Sequence, residues 1–313
     1  MHNRTNPSIT LGILLTVAIL VPPAAADLRL DTLEASWSIA GLQKSNATRL
    51  STYIQGTKRR IEARPDTSIA DSAIAAEVMT VQIDRIDRDT TFFLRPTDNA
   101  YIVLPMPRVR QNNRDAIATF LQAQRDGTAP ADTIAPISVT NLHRKRRILG
   151  VLCDGVVVDL PFQYSDSTNP GNEPMKGVLS DTVWLAPPGS EVEELFQFEK
   201  TFAKATLSDS FLATPTDIQL SQWRNQGLVG VLQRAVRRLP GYPLATHFVN
   251  LLTGMPPGLT GVERKPDGSI VVQRARREPV ALVRDPIPAT MFEVPKGLAR
   301  VERGKPGGSA QTP

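Results

Sequence analysis

Apolar and polar residues alternate along much of the chain, which is the pattern of β-strands that bury one face. Met79, Val81 and Ile83 fall on one face of the first clear strand, with polar residues between them. Two short apolar runs follow at 91–94 and 101–104, joined by a polar turn, and predict a hairpin. Because strand follows strand without an intervening helix, the pattern predicts an antiparallel meander and disfavours a doubly wound parallel sheet.

The alternation resumes in the second half of the chain. Residues 148–152 and 156–162 predict two strands, and Asp154-Gly155 between them is a tight-turn dipeptide. A further strand is predicted at 178–186, where Pro187 ends it. Closing strands are predicted at 269–273, 280–284 and 292–295.

Three segments have apolar residues at helical spacing instead. Residues 114–125 predict a short helix that interrupts the sheet. Residues 190–203 predict the clearest helix, because Ser190 and Glu193 form a capping-box pair and acidic residues fill the first turn. Residues 228–239 predict a third helix with arginines on its polar face, and this helix either packs on the sheet or lies on an anionic membrane.

The first 26 residues have the form of a cleavable secretory signal. Arg4 precedes an apolar core at 11–21, and small residues ending in Ala26 predict a mature start near Asp27. The apolar core is shorter than the roughly 20 residues of a spanning helix, which favours cleavage over an uncleaved anchor. The sequence therefore predicts a periplasmic protein.

Composition narrows the chemistry that the chain can perform. With 41% hydrophobic residues among 313, the composition is that of a globular protein. Cys153 is the single cysteine, which excludes an intramolecular disulfide, a four-cysteine zinc site and a Cys-x-x-Cys redox pair. The net charge is +5, and the basic run 143–147 would suggest nucleic acid in the cytosol, but export removes nucleic acid as an expected partner.

Motifs for a nucleophilic serine, a phosphate-binding loop and a zinc protease are missing from the sequence. Beyond the signal the histidines are His143 and His247, far apart along the chain, and Cys153 is expected to be a small buried strand residue. We therefore predict no catalytic residue, no metal site and no cofactor. An exported hydrolase, the enzymatic alternative, would need one of these histidines to meet an acid in space.

A basic run is the strongest charge feature of the chain, formed by Arg144, Lys145, Arg146 and Arg147. After export the available polyanions are lipid head groups, lipopolysaccharide and cell-wall polymers, so these four residues are candidates for contact with an anionic surface. The competing interpretation is a charged strand entrance or a solvated loop.

The order of several short segments resembles exported bacterial proteins with a domain of unknown function related to lipoprotein carriers, the LolA/LppX-like superfamily. Each segment is short, so the resemblance rests on their order along most of residues 50–303. The matching segments are 51–62, 93–96 with 100–103, 148–153, 182–186, 239–244 and 292–297.

The resemblance implies an α+β fold, in which helices cover the concave face of a curved antiparallel sheet, or half-open β-barrel. It implies a single domain over 27–303, after the signal peptide 1–26 and with an insertion at 111–135. The polar loop 164–177 is a second departure from the family pattern, and 304–313 is expected to be a disordered tail.

In such carriers the cavity holds acyl chains, so the predicted function is a periplasmic, non-enzymatic binding or carrier-like protein with an apolar groove for a lipid or a lipidated partner. The competing interpretation is that the same side chains fill a closed core. The alternative function is a cell-envelope scaffold that binds another protein through its basic surface or a sheet edge. The candidate lining residues are Val81, Ile83, Tyr101, Val103, Val156, Val158, Leu160 and Trp184.

Overall fold

The structure is a computed structural model, and parts of the chain lie outside the residues that it describes. These parts include the predicted signal peptide 1–26, the predicted tail 304–313, residues 165–174 of the predicted polar loop and half of the predicted helix 228–239. The described residues are 27–38, 46–66, 80–125, 133–134, 136–164, 175–207, 232, 235–254 and 263–302.

Strands dominate the described residues. The helices with described bounds are α1, Met106–Arg125, and α2, Glu193–Thr206, and short 3₁₀ turns occur at Ile86–Arg88, Pro96–Asp98 and Ala289–Phe292. The strands are β1 Leu28–Ser38, β2 Asn46–Gln55, β3 Lys58–Pro65, β4 Thr80–Arg85, β5 Thr90–Arg95, β6 Ala100–Pro105, β7 Thr133–Ile134, β8 Ser138–Ile148, β9 Val151–Tyr164, β10 Met175–Ala186, β11 Tyr242–Thr253, β12 Ile270–Val283 and β13 Ala299–Arg300.

The thirteen described strands form one open sheet in the order β13-β6-β5-β4-β3-β2-β1-β12-β11-β10-β9-β7, with β8 also paired to β9. Neighbouring strands are antiparallel, as the alternation predicted, except that β13 runs parallel to β6. The two halves of the sheet meet where β1 pairs with β12, which lies far from it in sequence.

The predicted α+β class, with helices over the concave face of a half-open barrel, is wrong. Within the described residues the protein is predominantly β, because one large mixed sheet that does not close carries a few short helical segments. The resemblance rests on the order of strands, which does not determine what covers them. An extended segment near the C-terminus covers the part of the sheet that contains Val81, Ile83 and Leu94, and α2 covers another part.

Both helices differ from their predicted bounds. The helix predicted at 114–125 already begins at Met106, and the one predicted at 190–203 spans Glu193–Thr206. The Glu193 carboxylate accepts a hydrogen bond from the N–H of Gly189, while the helix N-cap has no side-chain hydrogen bond, so the predicted capping box does not form.

Helix α1 contacts the C-terminal end of α2 through two polar side chains. Arg110 Nε donates to the carbonyl of Ala205 at 2.7 Å, and Asn113 Nδ2 donates to that of Thr206 at 2.8 Å. The last carbonyls of an α-helix have no partner within it, so these bonds satisfy groups that would otherwise need water. Helix α1 therefore supplies hydrogen-bond donors to the C-terminal end of α2.

The predicted turn at Asp154-Gly155 is wrong, because both residues lie inside β9. The hairpin turns instead at Leu149-Gly150, where φ is positive at both residues. Gly155 is required for a different reason: a Cβ there would lie 2.9 Å from the ring of Trp184 on the neighbouring strand. The glycine thus marks a close approach between strands rather than a turn.

Residues 284–300, the C-terminal strap, cross one face of the sheet from β1 to β6. The Ile287 N–H donates to the carboxylate of Asp27 at 2.5 Å, and Arg60 in β3 donates to the carbonyl of Met291 at 2.9 Å. Phe292 is fully buried among Val81, Ile83 and Leu94. The strap ends as β13, which pairs with β6.

We predict that Phe292→Ala strongly destabilises the fold. The substitution empties a fully buried ring site, and deletions of this kind cost about 3–5 kcal/mol. Urea unfolding followed by circular dichroism measures the loss. Val301→Ala, at a position 39% exposed, is the control and should cost less than about 1 kcal/mol. Equal losses in the two variants would contradict the packing described for the strap.

The strap should also loosen in acid. Burial acts to raise the pKa of Glu293, but hydrogen bonds from Arg85 and Arg88 outweigh it and lower that pKa. The stabilisation is therefore present above the ordinary glutamate pKa of about 4.3 and is lost as the pH falls below it. Hydrogen exchange of the strap between about pH 6 and pH 3 measures this loss, and Glu293→Gln should weaken its pH dependence.

Candidate functional site

An open cavity of about 580 Å³ lies at one end of the sheet. We name it the end cleft, and its lining consists of Leu149, Glu191, Ala281, Leu282 and Arg284. Three of these residues are apolar, and two charged side chains complete the lining. A second cavity of about 240 Å³, beside the first turns of α2, is lined by apolar and polar side chains, including Ile54, Ile86, Phe198, Glu193, Glu194 and Gln197.

The end cleft exists because neighbouring strands end at different levels. Leu185, next to the last residue of β10, pairs with Asp154, whereas β9 and its turn continue back to Leu149. The β8–β9 hairpin therefore extends past the end of β10. On the other side, β12 runs on to Val283, so the hairpin and β12 form two walls of the cleft.

Leu149 adopts an unusual backbone conformation at this hairpin turn. Its φ is 49°, in the left-handed region that glycine and asparagine favour. Its side chain is partly buried against the cluster that contains Leu28, Leu195 and Leu244. The apolar contact offsets the conformational cost of the turn and holds one wall of the end cleft in place.

The segment leading into α2 forms the third wall. Arg284 donates to the carbonyl of Glu191 at 2.5 Å and to the carboxylate of Glu194 at 3.2 Å. These bonds tie the end of β12 to the start of α2. The guanidinium of Arg284 and the nearby glutamates therefore lie beside an apolar floor, which is formed by Leu149, Ala281 and Leu282. This arrangement suits a ligand with an apolar chain and a polar end.

Helix α2 is held against the sheet by a buried ion pair. Arg59 in β3 is 5% exposed, and its guanidinium lies 2.8 Å from the Asp84 carboxylate and 2.5 Å from that of Glu199 in α2. The guanidinium also lies over the rings of Phe198 and Phe202, 4.9 and 4.6 Å from their centroids. This arrangement fixes α2, and with it one wall of the end cleft.

The described side chains provide little for catalysis. Burial raises the pKa of the Cys153 thiol to about 11, so the thiol stays protonated near neutral pH and is a poor nucleophile. Among the described residues, no group of three or more His, Cys, Asp or Glu is placed to hold a metal ion. None of the described helices combines the length and apolar character of a membrane span.

Seven of the eight predicted lining residues lie in or against three packed clusters. Val81 and Ile83 are buried around Phe292, with Tyr101 against the same cluster. Val156, Val158 and Leu160 pack with Leu232 and Val236. Trp184 borders the cluster that contains Cys153, and Val103 is partly buried in β6. The role of all eight as ligand-lining residues stays a prediction.

The predicted basic residues lie together on strand β8. Arg146 makes two hydrogen bonds of 3.1 Å to Glu278, which also contacts His247 at 2.5 Å. Burial acts to raise the pKa of Glu278, but these hydrogen bonds outweigh it and lower that pKa. Lys145 lies 3.4 Å from Asp154. An anionic surface as the target of these residues stays a prediction.

The residues of the end cleft were missed by sequence reasoning. Ala281 and Leu282 lie in a segment predicted as a strand, and Leu149-Gly150 offered a possible turn signal beside Asp154-Gly155. The residues of the end cleft come together only because Leu149 and Leu282 pack near the start of α2. Contacts between residues so distant in sequence leave no pattern in the local sequence.

We predict that Arg59→Met destabilises the fold by about 3–5 kcal/mol, because it leaves the fully buried carboxylate of Asp84 without its cation. Urea unfolding measures the loss. Arg95→Met is the control, since the side chains of Arg95 and its partner Asp98 are 58% and 56% exposed and lie 3.9 Å apart, and it should cost less than about 1 kcal/mol. Adding Asp84→Asn to Arg59→Met should restore part of the stability, and the absence of any such coupling would contradict the pair's role.

No family model matches this chain, and no curated protein matches it. It is similar to the crystal structure of LolA superfamily protein NE2245 from Nitrosomonas europaea. The match covers 87% of this chain and 91% of that chain, at 7% sequence identity and a TM-score of 0.26. These values do not establish membership of the LolA superfamily, which stays a prediction.

Proposed function

We propose that this chain is a non-enzymatic periplasmic binding protein that holds the acyl chain of a lipid, or of a lipidated partner, in the end cleft. The observation that carries the proposal is the open cavity of about 580 Å³ with Leu149, Ala281 and Leu282 in its lining. Ligand-binding pockets are mostly apolar and commonly measure about 300–1,000 Å³. The end cleft falls in this range.

The charged side chains of the cleft suit the polar end of such a ligand. Arg284 can donate hydrogen bonds to a carboxylate or a phosphate, and guanidinium groups bind both well. Its bond to Glu194 is 3.2 Å long and joins side chains that are 34% and 30% exposed, so an anionic head group can reach the guanidinium and replace that carboxylate. The acyl chain would then lie along the apolar floor of the end cleft.

Export is the second part of the proposal, and two features at the start of the fold support it. The predicted mature N-terminus, Asp27, is directly followed by β1, which begins at the fully buried Leu28. The Asp27 carboxylate accepts hydrogen bonds from the N–H of Ile287 and the amide of Gln55. Cleavage after Ala26 would thus leave these hydrogen bonds of Asp27 and the strand pairing of β1 in place.

We predict that the purified mature protein binds a fluorescent fatty acid such as cis-parinaric acid and carries fatty acid or lipid in native mass spectra. Ala281→Arg should raise the Kd at least roughly tenfold, because the added charge occupies the apolar floor and each methylene displaced from it costs about 0.8 kcal/mol. Fluorescence titration measures the Kd.

Val280→Arg is the matched control for this variant. Val280 is the neighbouring residue, is 45% exposed and does not line the end cleft. The Kd of the Val280→Arg variant for the fatty acid should therefore stay within about twofold of that of the unmodified protein. No bound lipid and no fatty-acid binding in the unmodified protein would refute the lipid-binding function. Equal weakening of fatty-acid binding by the two variants would indicate that the lipid binds outside the end cleft.

We also predict that the protein isolated from the periplasm begins at Asp27. Intact-mass measurement and N-terminal sequencing identify the first residue. Ala26→Pro should block processing and leave the longer precursor in the membrane fraction, since signal cleavage requires a small residue at that position. A protein that keeps residues 1–26 and remains in the cytoplasm would contradict export.

A further inference from the structure

Strand β8 is an exposed edge of the sheet. It pairs with β9 on one side, and no other described strand pairs with its opposite side. Eight of its eleven residues are exposed. An edge strand presents unpaired backbone N–H and C=O groups, which another extended chain can use to join the sheet.

A bulge divides this edge into two parts. Asn141 pairs with Val156 and Lys145 with Asp154, so three residues of β8 lie opposite Gly155. His143 has a φ of 52° within the bulge, where its N–H donates to the side chain of Asn141. The parts in regular register are a neutral one at 138–141 and a basic one at 145–148.

The cations of β8 project from both faces of the sheet. The guanidinium of Arg146 lies 5.8 Å from the ring of Trp184 on one face. Lys145 and Arg147, its neighbours along the strand, project from the opposite face because side chains alternate. In the described part of the chain, Arg144 and Arg147 form no ion pair with a carboxylate, although Arg147 donates to the carbonyl of Gly150.

We propose that β8 binds an acidic polypeptide segment, which adds to the sheet as a further strand. An added strand also alternates its side chains, so neighbouring carboxylates on it meet cations on both faces of the edge. A flat membrane surface faces only one side of the sheet, so it cannot contact the cations on both faces at once. A second copy of this chain would bring the basic part of β8 against another basic residue run, which like charges disfavour.

The probe for this proposal is a fluorescein-labelled peptide, Thr-Val-Glu-Glu-Glu-Val-Thr-Thr, whose consecutive glutamates project from both faces of a strand. Fluorescence anisotropy at low and high salt measures its Kd with the mature protein. We expect the matched peptide with Gln in place of Glu to bind at least tenfold more weakly. A third peptide, N-methylated at alternate residues along one edge, should lose binding as well, because it cannot complete the backbone hydrogen bonds.

Charge reversal locates the binding edge. The double variant Arg144→Glu, Arg147→Glu should weaken binding of the glutamate peptide at least tenfold. The control, Arg108→Glu with Arg114→Glu, makes the same change of net charge at two exposed residues of α1 and should leave the Kd within about twofold. Circular dichroism of each variant checks that the fold is retained.

Four results would overturn the proposal. The Glu and Gln peptides could bind equally, which would show that charge does not drive binding. The N-methylated peptide could bind as well as its parent, which would indicate charge attraction without strand addition. The protein could fail to bind the peptide but bind vesicles containing phosphatidylglycerol through Arg144 and Arg147. Light scattering could show a dimer that forms through β8. None of these results bears on the end cleft, so this proposal and the lipid-binding proposal fail separately.

Discussion

The burial of the Arg59 guanidinium between the sheet and α2 is the interaction on which the arrangement of the site depends. A buried charge is tolerated only with its partners in place, and here they come from β4 and α2 as Asp84 and Glu199. The ion pair therefore restricts β3, β4 and α2 to one arrangement relative to each other. That arrangement brings the residues before α2 next to the end of β12, where Arg284 joins them, so the end cleft follows from an ion pair that does not line it.

The strand that carries Arg59 is covered on both faces by different parts of the chain. Arg59 points to α2, while its neighbour Arg60 points to the C-terminal strap, because successive side chains of a strand alternate. Both cations are hydrogen-bonded, and β3 consequently lacks the simple alternation of buried apolar and exposed polar residues. Buried ion pairs of this kind define register more than they add stability, which we take as their role here.

The sequence pattern predicted those parts of the fold that local spacing encodes. The strands of the β4–β6 meander and the strand ending at Ala186 were predicted and are confirmed. The strap was missed because 292–295 resembles a strand, whereas Phe292 ends a 3₁₀ turn and its burial depends on strands some 200 residues earlier. The dipeptide Asp154-Gly155 led to a wrong turn prediction, because the sequence does not distinguish a glycine that makes room for Trp184 from a glycine in a turn. The end cleft was beyond prediction, since its residues meet only through packing.

The pairing of β1 with β12 has a consequence for the order of folding. The first strand of the described chain is completed by one that ends at Val283, so ribosomal synthesis must reach β12 before the centre of the sheet can form. Contacts so distant in sequence slow folding, because a long loop has to close before they stabilise anything. A nascent chain built this way therefore lacks the centre of its sheet until β12 has been synthesised, however early its local hairpins form.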